Sequence, residues 1–183
     1  MKEHYLEILR KNSSSLLEFR TAAHGLAKLL FADASTRLAH RRVIVVPILR
    51  AGLAFLNAAL EFFPNAPVGF FGIRRDEKTA LPHLYYENLP KISPQDWILL
   101  LDPMLATGGS ALLALEKLKA AGAVLDQTML ISAISSMPGV DALERRFPQV
   151  GHFSAALDLS LNAKKMIVPG LGDFGDRFFG TMC

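Results

Sequence analysis

A mostly parallel α/β sheet flanked by helices, folded as a single domain over residues 1–183, is the architecture this sequence predicts. Short, continuous apolar runs rich in β-branched residues recur along the chain, the pattern of strands covered on both faces. Each run gives way to a segment with helical spacing, and strands alternating with helices imply parallel pairing through right-handed crossovers. A length of 183 residues suits one domain with its own core. No internal repeat, low-complexity tract or linker divides it.

The elements follow in order. Ser15-Leu-Leu-Glu18 has capping-box spacing, and Phe19, Ala23, Leu26 and Leu30 follow at helical intervals, predicting an amphipathic helix that ends near Asp33. Val43 to Leu49 is a β-branched apolar run and reads as the first strand. Gly52 to Phe63 reads as a helix stopped by Pro64, and Pro67 to Ile73 as a second strand. Arg74 to Asp96 mixes charges, prolines and Tyr85-Tyr86 without periodicity. It is too long for an ordinary connection and reads as a flexible functional loop, a flap that closes over bound ligand. Trp97 to Leu101 is a third buried strand, and Ser110 to Ala121 a helix for which Gly122 is the C-terminal cap. Thr128 to Ile134 reads as a strand, Gly139 to Phe147 as a short helix and His152 to Leu157 as a last strand.

Composition removes several classes of function. The hydrophobic fraction is 51% and the mean hydropathy +0.27, yet every apolar stretch is cut by charge short of the roughly 20 residues that span a bilayer. The start, MKEHYLEILRKN, has no apolar core of the kind a signal peptide needs. The expectation is a cytoplasmic protein with no membrane partner, whose surplus apolar surface is buried in a homodimer or higher homo-oligomer. The lone Cys183 forms no intrachain disulfide. The net charge is +3, and the basic doublets at 41–42, 74–75, 145–146 and 164–165 are scattered rather than gathered into a tract for nucleic acid.

Three segments carry chemistry. Asp102-Pro-Met-Leu-Ala-Thr107-Gly108-Gly109-Ser110 lies between a buried strand and a helix. Its glycines let backbone approach a phosphate, its hydroxyls donate, and the helix start supplies free N–H groups. It lacks the lysine of a nucleoside-triphosphate loop. Asp102 stands about one sugar's width away, where a carboxylate accepts from ribose hydroxyls. A plain helix-capping turn with an incidental aspartate is the alternative. The second segment, Pro47-Ile-Leu-Arg50-Ala-Gly52, runs a strand into a glycine turn and places a guanidinium fork where it can grip an anion. A helix-flanking arginine is the alternative there. The third, Ile167-Val-Pro-Gly170-Leu-Gly172-Asp173-Phe174-Gly175-Asp176-Arg177, contains G-x-G-x-x-G. Too few residues follow Gly175 for the βαβ unit of a dinucleotide site, so a loop offering its main chain to a small planar ligand fits better.

These strings resemble the type I phosphoribosyltransferases. DPMLATGGS is similar to the form of their phosphate motif found in the uracil branch, since most other members have two adjacent acids where this chain has Asp102-Pro103. VPILRAG, RRDEKT and IVPGLGDFGDRFFGT extend the resemblance over most of the chain. It implies a Rossmann-like sheet with a C-terminal hood and a mobile loop, and transfer of phosphoribosyl from 5-phosphoribosyl 1-diphosphate to uracil. It implies that Asp102, Pro103, Met104, Leu105, Ala106, Thr107, Gly108, Gly109 and Ser110 hold the ribose and 5′-phosphate. Arg50, in a loop with a non-proline cis peptide, and Arg75, from the flap, would meet the diphosphate. Asp102, Arg50 and Arg75 would thus carry catalysis. Ile167, Gly172, Asp173 and Phe174 would bind uracil, with Asp173 also facing the phosphoribosyl group, and Phe174 stands where many members have alanine. Mg²⁺ would arrive on the diphosphate, with no direct protein ligand expected. The implied partners are these small substrates, with GTP as an effector of some members. Members carry a longer stretch before the first helix, which bears on dimer geometry and on GTP. The competing readings are a purine or orotate enzyme of the same superfamily, an RNA-binding regulator on this fold, which would need a continuous basic face, and a non-catalytic relative.

Overall fold

A computed structural model describes residues 1–76 and 81–181. Two helices open the chain, α1 (Lys2–Arg10) and α2 (Leu16–Arg37). The Ser15 hydroxyl accepts from the backbone N–H of Glu18 while the Glu18 carboxylate accepts from the N–H of Ser15, closing the capping box read from sequence. α2 runs past Asp33 to Arg37 because Ala34, buried completely, continues the stripe that packs on the sheet. α1 carries only two buried side chains, Leu6 and Leu9, too sparse a stripe to announce itself.

Then follow β1 (Val43–Leu49), α3 (Leu53–Phe62), β2 (Phe70–Arg75), β3 (Pro82–Asn88), β4 (Trp97–Leu101) and β5 (Met104–Leu105). After α4 (Gly109–Ala120) come β6 (Thr128–Ser136), α5 (Met137–Arg146) and β7 (Gly151–Asp158). The chain closes with the small hairpin β8 (Ser160–Leu161) and β9 (Ile167–Val168) and the short α6 (Phe174–Phe179), which form a hood.

The sheet has seven strands. β2, β1, β4, β6 and β7 lie side by side and parallel, and β5 prolongs the line of β4 along β6 after a break at Asp102-Pro103. Alternation along each strand assigns its side chains to two cores. Val43, Val45, Leu99 and Leu101 face α1, α2 and α3, whereas Ile44, Val46, Ile98 and Leu100 face α4 and α5.

One expectation is corrected. The segment from Arg74 to Asp96 is not a long loop: β3 pairs antiparallel with β2, from Phe70 opposite Asn88 to Arg75 opposite Pro82. β3 is an edge strand with most side chains exposed, so its sequence shows no alternation, and backbone hydrogen bonds rather than burial define it. Residues 77–80 of the proposed flap lie outside the described residues, as does Cys183. No described helix is long and apolar enough to cross a membrane.

Candidate active site

β2, β1 and β4 are neighbours running in one direction, so their carboxyl ends open on the same edge of the sheet, where ligands of parallel α/β folds sit. Arg75 ends β2, Arg50 follows β1 and Asp102 follows β4. A cleft of about 830 Å³ opens there, and residues from all three sequence segments line it: Arg50, Arg75, Asp102, Met104, Ala106, Ser110, Ile167, Gly172, Asp173 and Phe174.

The turn after β1 is set by close backbone packing. The N–H of Gly52 donates to Ile48 at 2.8 Å, and a β-carbon at residue 52 would stand 2.5 Å from the Leu101 carbonyl oxygen, so only glycine fits. The Leu49–Arg50 peptide is cis, as the resemblance implied. Arg50 donates to Asp176 of α6 at 2.7 Å, and Asp176 also accepts from the Thr181 hydroxyl at 2.8 Å. Those two hydrogen bonds, Thr181 first and Arg50 next, hold the Asp176 carboxyl below the usual carboxylate range.

Asp102 sits at the floor of the cleft, half-buried. Burial pushes its pKa up from 3.8 to about 6, against the pull of the Met104 N–H and the positive charge of Arg75. Beyond it the chain divides its tasks. Pro103 and Leu105 are buried, and their side chains do not reach the cleft: the Pro103 carbonyl accepts from the N–H groups of Ala133 and Ile134, so this stretch is stitched to β6. Met104, Ala106 and Ser110 do line the cleft. Gly108 has φ +81°, a conformation that suits glycine, and caps α4, whose first turn includes Gly109 and Ser110. The Thr107 hydroxyl lies 3.4 Å from the Gly109 N–H. Thr107, Gly108 and Gly109 stand at the helix start, not among the lining residues. Two residues outside the sequence reading brace this loop. Ser136 donates to the Ala106 carbonyl at 2.5 Å, and Gly139 packs so closely that a β-carbon would lie 2.5 Å from that same oxygen. Both lie in a run of small residues, SAISSMPG, with nothing in its spacing to mark a brace.

In the third segment Gly170 and Gly172 have φ of +58° and +81°, which lets the loop turn its main chain toward the cleft. Asp173 caps α6 by accepting from the N–H of Asp176 at 2.8 Å while also lining the cleft. The Phe174 ring is buried and packs against Phe19, Phe55 and Phe178, with centroids at 5.2, 6.0 and 6.2 Å. It belongs to the core, so what this residue offers the cleft is backbone. Tyr85, Lys165 and Met166 also line the wall. They come from the edge strand and a turn, where no motif marked them.

Comparison with known proteins agrees with this geometry. The family model described as uracil phosphoribosyltransferase matches residues 32–181. A uracil phosphoribosyltransferase of Ligilactobacillus salivarius is 38% identical, covering 98% of this chain and 94% of the relative, and one of Streptococcus suis is 39% identical with the same coverage. Each alignment runs over 198 positions, more than this chain's 183 residues, so within the aligned span the relatives have residues that this chain lacks. A solved protein of Aquifex aeolicus superposes with a TM-score of 0.91 at 34% identity, covering 97% of this chain and 93% of that one. An orotate phosphoribosyltransferase of Aeropyrum pernix superposes at 0.54 with 21% identity over 78% of this chain and 75% of its own, and shares the fold. Full-length similarity and the matching family model together establish that this chain belongs to the uracil phosphoribosyltransferase family.

Proposed function

We propose that this chain is an active enzyme of pyrimidine salvage, transferring phosphoribosyl from 5-phosphoribosyl 1-diphosphate to N1 of uracil to give UMP and diphosphate. The observation that carries the reading is the convergence of Arg50, Asp102, Ile167 and the stretch from Gly172 to Gly175, far apart in sequence, on one cleft at the strand ends. Transfer passes through a cation-like ribose, so the work is positional and electrostatic. Asp102 is placed to accept from the ribose hydroxyls, and the start of α4 to receive the 5′-phosphate on its free N–H groups. Arg50 exchanges Asp176 for the diphosphate, and Arg75 meets it from the end of β2. The acceptors and donors of the main chain at Ile167, Gly172 and Phe174 read the pyrimidine edge.

Asp102 and Asp173 both line the cleft. That complement fits Mg²⁺ bound chiefly by diphosphate and water, with these two carboxylates near it. When bound, the ion neutralises charge on the leaving diphosphate. Leu157 and Leu159 are 51% and 80% exposed, which supports assembly into a homodimer or higher homo-oligomer. The reading also carries a cytoplasmic location, and GTP, an effector of some members, is the ligand to try for activation.

The test is incubation with Mg²⁺, phosphoribosyl diphosphate and a panel of bases. UMP formation from uracil, without nucleotide from purines or orotate, is expected. No nucleotide from any base would overturn the reading. Light scattering reports the assembly, and added GTP its effect on rate.

A further inference from the structure

The base loop is held from outside the cleft by α1, an element that precedes the residues matched by the family model. Arg10, the last residue of α1, forks onto Asp158 at the end of β7, with its two terminal nitrogens 2.8 and 2.6 Å from the two carboxylate oxygens. The same guanidinium donates to the carbonyl of Gly170 at 2.9 Å, and Asp158 accepts from the N–H of Gly170 at 2.9 Å. Both main-chain groups of Gly170 are therefore gripped by one ion pair. Asp158 is only 6% exposed. Burial would raise its pKa, but hydrogen bonds from Arg10 and Gly170 and the charge of Arg10 hold it below the usual range.

A second arginine repeats the connection one residue on. Arg177, also 6% exposed, donates to the Leu171 carbonyl at 2.7 Å and to the Lys11 carbonyl at 2.7 Å, and also bonds the Leu9 carbonyl. Its guanidinium lies 4.3 Å from the centre of the Phe19 ring. Arg177 thus ties the carbonyls at the end of α1 to Leu171, as the Arg10 side chain ties the helix to Gly170.

We infer that Arg10 and Asp158 are a positioning pair that fixes the main chain of the base loop, so that α1 sets the enzyme's affinity for the pyrimidine. The inference rests on the reading of that loop as the uracil site. Main-chain recognition has no side chain to adjust, so its precision depends on how firmly the loop is held. The phosphate loop follows β4 and the main chain of Arg50 follows β1, so loosening Gly170 leaves both main chains in place. A guanidinium fork satisfies both carboxylate oxygens and a carbonyl together, which the single ammonium of lysine does not.

The experiment is steady-state kinetics of Arg10→Lys, Arg10→Met and Asp158→Asn in the full chain, assayed well below each variant's Tm. The KM for uracil is expected to rise about tenfold in Arg10→Met and Asp158→Asn and less in Arg10→Lys, while kcat and the KM for phosphoribosyl diphosphate stay within about twofold. Arg10→Lys and Asp158→Asn keep hydrogen-bonding capacity and carry the test if Arg10→Met does not fold. A uracil KM unchanged in all folded variants, or equal rises in both KM values, would overturn the inference and leave the pair a fastener of α1. Absence of UMP formation by the unaltered chain would instead strike the functional reading itself.

Discussion

Replacing Asp102 by asparagine is expected to stabilise the protein while disabling it. Its pKa, pushed from 3.8 to about 6 by burial, means the folded state disfavours the charged form. The sign is that of a raised acid. Below pH 3.8 the carboxyl is neutral in both folded and unfolded chains and costs nothing. Between pH 3.8 and about 6 the unfolded chain ionises first, and above about 6 the full penalty is present. At about 1.4 kcal/mol per pH unit the interval amounts to about 3 kcal/mol at pH 7. The asparagine side chain keeps the shape and can still accept from the Met104 N–H, so most of that penalty is relieved. A realised gain of about 2 kcal/mol raises Tm by about 4–8 °C in a chain of this size. The assay is thermal unfolding of both proteins at pH 7 and pH 4, where the gain at pH 7 vanishes at pH 4. Activity moves the other way: hydrogen bonds from ribose hydroxyls to a charged acceptor contribute about 1.5–3 kcal/mol, so kcat/KM falls about 10- to 150-fold. A lower Tm at pH 7, or full activity, would refute the reasoning.

Binding that needs the Asp102 carboxylate ionised gives kcat/KM for phosphoribosyl diphosphate an acid limb near pH 6, and the limb disappears in Asp102→Asn; an identical profile in the two proteins would count against the assignment. Cytosine is expected to be rejected by at least about a thousandfold in kcat/KM, because its 4-amino group and N3 reverse both hydrogen-bonding signs and each mismatch costs about 1–3 kcal/mol, while 5-fluorouracil keeps the uracil pattern and is turned over. Comparable turnover of cytosine and uracil would sink the base loop assignment. Phe174→Ala empties a buried ring site and is expected to cost about 3–5 kcal/mol in chemical denaturation while leaving the KM for uracil near its original value; a large rise in KM with little loss of stability would show that the ring lines the pocket after all.

The sequence by itself determined the buried parallel strands and the kind of site. The runs Val43–Leu49 and Trp97–Leu101 are strands over those same residues, since a β-branched apolar run buried on both faces has few alternatives. The Asp102–Ser110 string and the glycine-rich string at 170–175 name their chemistry through residue types that a backbone turn or an anion requires, and these are local demands. Edge strand β3 was hidden because its side chains share no buried face, and α1 because two buried leucines make too thin a stripe. Tertiary structure alone decided which side chains face the cleft. Pro103 and Leu105, inside the motif, turn toward β6 and the core, and the Phe174 ring joins an aromatic cluster with Phe19 and Phe55. It alone also joined Arg10 to Asp158 and Gly170, 148 and 160 residues along the chain, and Arg50 to Asp176, 126 residues away. Hydrogen bonds of such span leave no spacing in the sequence, because their geometry is set by the sheet order that brings the partners together.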